Sequence, residues 1–155
     1  MKKYFNKPLA LVTAIALFFG SCSKSSVDPV TPPASSITAA TLTASLTAGS
    51  WVLSSFTQKT EDKTSKFSDI VFIFSADGTV TATKSGVETK GKWQYTPAVT
   101  YYGSSSKSAV ALNMGVATPL DLLTKTWNFI SVSSTTLKID SPELAEDEHV
   151  QFSKK

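Results

Sequence analysis

The chain has 155 residues, a formal net charge of +3 and one cysteine, and all fifteen of its basic residues are lysine. Without arginine it has no planar clamp that holds phosphate or carboxylate through two parallel hydrogen bonds, and no arginine finger. One cysteine and one histidine exclude an internal disulfide and any metal centre built from several imidazole or thiolate ligands.

The first element is an export signal. Met1–Lys7 (MKKYFNK) is basic, Leu9–Phe19 is an apolar run of eleven residues, and Gly20-Ser21-Cys22 closes it with small side chains. The run is too short to span a bilayer, and this order of segments is that of a secretory signal peptide. The ending LFFGSC resembles the lipobox of bacterial lipoproteins, in which cleavage before the cysteine needs small residues at the two preceding positions; Phe19 stands where leucine is usual. The resemblance implies a signal peptide over 1–21 and a mature chain beginning at Cys22. It also implies a thioether-linked diacylglycerol and an acylated amine there, and an address at the outer membrane of a Gram-negative envelope, on either face. Each buried methylene contributes about 0.8 kcal/mol; one acyl chain holds only reversibly, whereas three make a lasting anchor. Loss of Lys2, Lys3 and Lys7 leaves twelve lysines against twelve acidic residues, so the mature chain is near neutral. A nucleic-acid partner is therefore not expected.

Residues 22–40 are rich in Ser, Pro, Thr and Ala and read as a lipidated N-terminus and extended tether. Residues 41–155 suit one domain and contain no repeat. Thr41–Ala48 predicts two helical turns with Leu42 and Leu46 on one face and Gly49 as the stop. Strand-like runs follow at Trp51–Thr57 and at Phe67–Ser75, the latter expected to be buried on both faces for part of its length. Asp77-Gly78 marks a hairpin into Thr79–Lys84, where Val80 and Ala82 share a face. Gly86 marks the next turn, and Lys90–Tyr95 puts Trp93 and Tyr95 on a common face. Val99–Tyr102 and Ala109–Met114 read either as two short strands around the loop 103–106 or as one bulged strand. Thr118-Pro119-Leu120-Asp121 predicts a capped helix start, with Leu120 and Leu123 facing inward. Trp127–Ser133, Thr136–Asp140 and His149–Ser153 are the last strands. Eight or nine short strands at even spacing predict a mainly β, antiparallel meander closing into a barrel or a strongly bent sandwich, with one or two short helices.

The series Gly49-Ser50-Trp51, Phe72-Ile73-Phe74-Ser75-Ala76-Asp77-Gly78-Thr79, Gly91-Lys92-Trp93, Trp127-Asn128-Phe129 and Leu137-Lys138-Ile139 resembles the small lipocalin-like domains of many bacterial lipoproteins. The resemblance covers residues 42–155. Lipocalins pair the first-strand Trp with a late-strand Arg, for which this chain has no counterpart. An open barrel of this kind implies a small apolar or amphipathic ligand.

Candidate chemistry is sparse. His149 follows Glu146-Asp147-Glu148 and reads as the partly exposed start of the last strand beside an acidic turn. Asp140, Glu143, Glu146 and Asp147 lack the glycine-punctuated loop of a calcium motif. No Gly-x-Ser-x-Gly elbow is present, and nothing selects Asp69, Glu88 and Asp121 as a carboxylate pair for glycoside chemistry. Neither an enzyme, a metal site nor a cofactor is indicated. Most aromatics fall on core positions, but Tyr95, Tyr101 and Tyr102 flank Pro97 and a Gly/Ser loop, where tyrosine can stack on a ligand while its hydroxyl stays wet. They are the tentative ligand-binding residues, as Cys22 is the lipidation site. Two readings result: an anchored barrel binding a small apolar or amphipathic molecule, or a filled barrel serving as an accessory interaction protein of the envelope, its protein partner unidentified.

Overall fold

Alternating apolar residues build eight strands in chain order. They are β1 (Ser50–Gln58), β2 (Ile70–Phe74), β3 (Thr79–Lys84), β4 (Val87–Thr96), β5 (Ala109–Asn113), β6 (Lys125–Val132), β7 (Thr136–Asp140) and β8 (Glu148–Lys154). The computed structural model describes residues 37–155. The signal peptide, Cys22 and nearly all of the tether lie outside the described residues. Each strand pairs antiparallel with the next, and β8 returns to β1, with Trp51 opposite Lys154 and Phe56 opposite Val150, so the sheet closes into an eight-stranded barrel. The register shifts once between Leu53 and Ser55 on β1 and once between Lys138 and Ile139 on β7. Such irregularities bend strands and raise their twist, which closure of so small a sheet requires.

The meander places the β2–β3, β4–β5 and β6–β7 connections and the C-terminus at one end of the barrel. The β1–β2, β3–β4, β5–β6 and β7–β8 connections lie at the other. Helix α1 (Ala39–Thr47) leads into β1 and covers the first of these, here the helix end. The Thr38 side chain caps it by accepting from the Thr41 N–H at 3.2 Å, and Leu42 and Leu46, four residues apart on one face, are fully buried. The helix starts two residues before the expected Thr41, and Ile37 already packs on the core, so the folded domain reaches back into the stretch read as tether.

Large inward side chains occupy the interior. Phe72 and Phe74 meet Phe152 edge-on at 5.3 and 6.1 Å, Phe74 meets Trp93 at 5.8 Å, and Phe56 meets Trp127 at 6.2 Å. Edge-to-face contacts of this kind add about 0.5–1.5 kcal/mol each beyond the area they bury. The three tryptophans also pin the connecting segments. The Trp51 indole N–H donates to the Leu46 carbonyl in the last turn of α1 at 2.8 Å, that of Trp93 to the Ser75 carbonyl of the β2–β3 turn at 2.9 Å, and that of Trp127 to the Leu123 carbonyl at 3.0 Å. The last bond holds a 3₁₀ turn, Leu120–Leu123, across the opposite end, where Leu120, Leu123 and Phe67 are buried.

Three expectations are corrected. Residues 67–75 are not buried on both faces: Phe67 belongs to a 3₁₀ turn (Thr64–Phe67), and β2 alternates, with Ile70, Phe72 and Phe74 buried but Ile73 47% exposed. A barrel wall has one wet face, and Ile73 lies on it. The helix expected from Thr118 is a single 3₁₀ turn without a side-chain cap, entered through a cis Thr118–Pro119 peptide. A 3₁₀ turn aligns residues three apart, which directs Leu120 and Leu123 together into the barrel. Residues 99–106 form neither a barrel strand nor a bulge but a separate two-stranded hairpin.

Gly91 marks where the wall is tightest. A Cβ there would lie 2.3 Å from the Asn113 carbonyl oxygen and 2.8 Å from the Met114 sulfur. Gly91→Ala is therefore expected to destabilise the domain by about 1–3 kcal/mol, the usual range for overpacking against backbone that cannot yield. Urea denaturation followed by tryptophan fluorescence checks this; an unchanged midpoint would mean that β4 and β5 separate freely.

Candidate functional site

The structure divides the three tyrosines between two roles. Tyr95 lies on the inner face of β4 with its hydroxyl donating to the Ile37 carbonyl at 3.0 Å and its ring 5.6 Å from Phe129. It ties the entry of α1 to the rim of the barrel. Tyr101 and Tyr102 lie beyond the rim, 72% and 90% exposed, with ring centroids 4.3 Å apart. Their hairpin pairs Thr100 with Ser105 and Tyr101 with Ser104. Tyr102 and Gly103, both at positive φ (46° and 81°), make the two-residue turn whose twist suits a hairpin. Serine hydroxyls fasten its base: the Ser106 Oγ accepts from the Val99 N–H at 2.9 Å, and the Ser108 Oγ from the Ala98 N–H at 3.3 Å. Every residue from 96 to 107 is exposed.

The opposite end collects charge. Lys125, on the inner face of β6, reaches Glu148 at 2.6 Å and Glu146 at 2.8 Å and sits 5.1 Å from the Trp127 ring. Glu148 is only 4% exposed and Ser141 donates to Glu146 at 2.6 Å. Partial burial pulls the Lys125 ammonium down, but hydrogen bonds to Glu146 and Glu148 outweigh it and leave the pKa raised. The hydrogen bond from Lys125, then that from Ser141, holds the Glu146 carboxyl below its usual range. This pair lay beyond sequence reasoning, since 23 residues separate Lys125 from Glu148.

His149 is more than half exposed and lies 2.9 Å from Asp140 and 3.2 Å from Asp147. The hydrogen bond to Asp140 raises its pKa above 6.5, against a smaller opposing effect of burial. Its stabilising contribution is thus full below about pH 6.5 and fades as pH rises through the folded-state value. Relative to His149→Gln, the wild type should lose well under about 1 kcal/mol between pH 6 and 8, because the pair is screened by water. Paired melting curves across that range check the sign; a wild-type advantage that grows with pH would reverse it. Among the described residues no group of three or more His, Cys, Asp or Glu is placed to hold a metal. Among the described residues no hydrogen bond or ion pair joins Asp69, Glu88 and Asp121, and Asp121 carries a buried carboxylate oxygen without a partner.

Two surface depressions bear on where a ligand could sit. An open groove of roughly 710 Å³ runs along β4–β6 beside the β2–β3 turn, with a mixed polar and apolar lining that includes Lys92, Trp93, Gln94, Leu112, Asn113 and Thr126. A smaller and more apolar cleft of roughly 360 Å³ lies at the end opposite α1, between the β3–β4 turn and residues 117–120, over Ile70, Ala82 and Leu120. The apolar cleft and the tyrosines therefore occupy opposite ends. No helix among the described residues is long and apolar enough to cross a membrane.

No family model and no curated protein matches the chain. Among solved structures it is similar to a DUF4847 family protein from Bacteroides vulgatus ATCC 8482, crystallised at 1.00 Å resolution, with 16% identity over 71% of this chain and 94% of that one and a TM-score of 0.48. At that distance the likeness adds nothing to the topology described above.

Proposed function

We propose that this chain is an exported lipoprotein, held to a membrane through acyl groups on Cys22, whose lipocalin-like barrel is an interaction module acting through its surface rather than a carrier acting through its interior. The observation that carries the second half is the occupied interior: Trp51, Phe56, Phe72, Phe74, Trp127 and Phe152 are each at most 2% exposed and belong to one core cluster. A carrier of this size needs a cavity of about 300 Å³ or more for even a small ligand. Here α1 covers one end and the Leu120–Leu123 turn the other. The order of basic, apolar and small residues ending in LFFGSC supports the anchor.

Cys22→Ser tests the anchor. In cells fed a fatty-acid analogue, the wild type should take up label and sediment with membranes, while the variant should be unlabelled and either released or retained as a longer precursor. Equal labelling of both would sink the anchor.

The apolar cleft supports a second reading, a small apolar ligand at the end opposite the tyrosines. Ala117→Trp would cover that cleft from its rim. A lipid or fatty acid that raises the wild-type melting temperature but not that of Ala117→Trp would favour the carrier after all, at a site other than Tyr95, Tyr101 and Tyr102.

A further inference from the structure

We infer that the Val99–Ser106 hairpin is a membrane-contacting element, its Tyr101–Tyr102 tip seating in the interface of the bilayer that holds the lipid anchor, with the barrel standing helix end down. The inference rests on the anchor reading above and adds to it an orientation and a surface.

The first support is where the described chain begins. The Ile37 carbonyl is hydrogen-bonded to Tyr95, one residue before β4 ends and the hairpin segment starts. The chain that leads back to Cys22 therefore departs from the same end of the barrel that bears the hairpin. Fifteen peptide steps from Cys22 to Ile37 reach at most about 50 Å, so this end is tied to the bilayer more closely than the other.

The second is the tip itself. Val99, Tyr101 and Tyr102 are 62%, 72% and 90% exposed on a hairpin in which every residue is exposed. Paired tyrosines present an apolar body and a polar hydroxyl, the combination that sits stably at the boundary between headgroups and acyl chains.

The third is charge. The helix-end segments carry Lys107, Lys154 and Lys155 and a single acidic side chain, Asp77. In the connections at the opposite end, Glu61, Asp62 and Asp69 are offset by Lys59, Lys63 and Lys66, but Asp121, Glu143, Glu146 and Asp147 have no basic counterpart in those connections, which leaves that end net acidic. An anionic lipid surface attracts the first end and repels the second, within about 10 Å at ordinary salt.

The test uses the full lipidated chain, purified from membranes and reconstituted into vesicles of zwitterionic and anionic phospholipid. With Cys22 consumed by lipid, a single introduced cysteine is the only thiol. Ser104→Cys marks the hairpin with both tyrosines intact, and Leu144→Cys, 93% exposed in the β7–β8 turn, marks the far end. Each carries a nitroxide, read by its collision with oxygen, which concentrates in lipid, against a nickel chelate confined to water. The oxygen-to-nickel ratio at Ser104 should exceed that at Leu144 several-fold. Tyr101→Ala with Tyr102→Ala should bring it down to the Leu144 level without altering the near-ultraviolet dichroism. Equal ratios at the two positions in a lipidated chain would overturn the membrane contact and leave the anchor standing. Shielding of Ser104 that follows protein concentration rather than lipid would overturn it in favour of a second copy. Labelling of Cys22 itself, seen by mass in a chain with no added cysteine, would remove the anchor. In that event a lipid-dependent ratio at Ser104→Cys, measured in a Cys22→Ser background, would still uphold the hairpin contact.

Discussion

Trp51→Ala is expected to lower stability by about 3–5 kcal/mol, the cost of emptying a fully buried aromatic site. The side chain is 0% exposed, and its loss opens a space under α1 while leaving the Leu46 carbonyl, in the last helical turn, without its donor. Nothing covalent compensates, because Cys22 is the only cysteine. For a domain of this size the change amounts to a fall in melting temperature of about 10–20 °C. Trp51→Phe keeps most of the bulk and loses the hydrogen bond, so it should cost nearer 1–2 kcal/mol, or about a third as much. The comparison separates filling from fastening. If Trp51→Ala melted within 2–3 °C of wild type, α1 would be an ornament rather than the cover of the barrel.

Lys125→Met is expected to cost about 2–4 kcal/mol, somewhat below the range for a fully buried pair because Lys125 keeps some access to water. The loss is asymmetric: Glu146, 41% exposed, can turn to solvent, but Glu148, 4% exposed, is stranded without a cation. Adding Glu148→Leu should recover most of the deficit, since two apolar groups there satisfy each other. Denaturant titrations of the two single variants and the double variant measure the coupling directly. Strict additivity would mean that the ion pair is a surface contact of no consequence.

These two results bear on how much of the molecule could be read without coordinates. The barrel could, because its signals are local: Thr79–Lys84 and Thr136–Asp140 coincide with β3 and β7 residue for residue, and Asp77-Gly78 makes the turn its composition requires. Burial alternates along strands, so Trp51, Trp93 and Trp127 declare themselves as core. What was not legible depends on contacts between distant segments. Nothing in the chain says that the Trp127 indole reaches back to Leu123, that Lys125 meets Glu148, or that Tyr95 grips Ile37 while its neighbours in the series stand free. The late-strand cation expected to be missing over Trp51 has a stand-in, with the Lys154 ammonium 6.0 Å from the ring centre, a placement that only the β1–β8 closure creates. Proximity in sequence groups Tyr101 and Tyr102 with Tyr95; the barrel rim separates them in kind, one half-buried and hydrogen-bonded, two exposed.

The central claim is that the barrel is closed around its own side chains and works from a lipid anchor. Native mass spectrometry of the protein drawn gently from its own host's membranes tests it most directly. The account predicts one species, with the mass of residues 22–155 plus a diacylglycerol and an acyl group on Cys22, and no further adduct. A stoichiometric non-covalent adduct of small-molecule size, lost on raising the collision energy, would contradict it and return the barrel to the carriers.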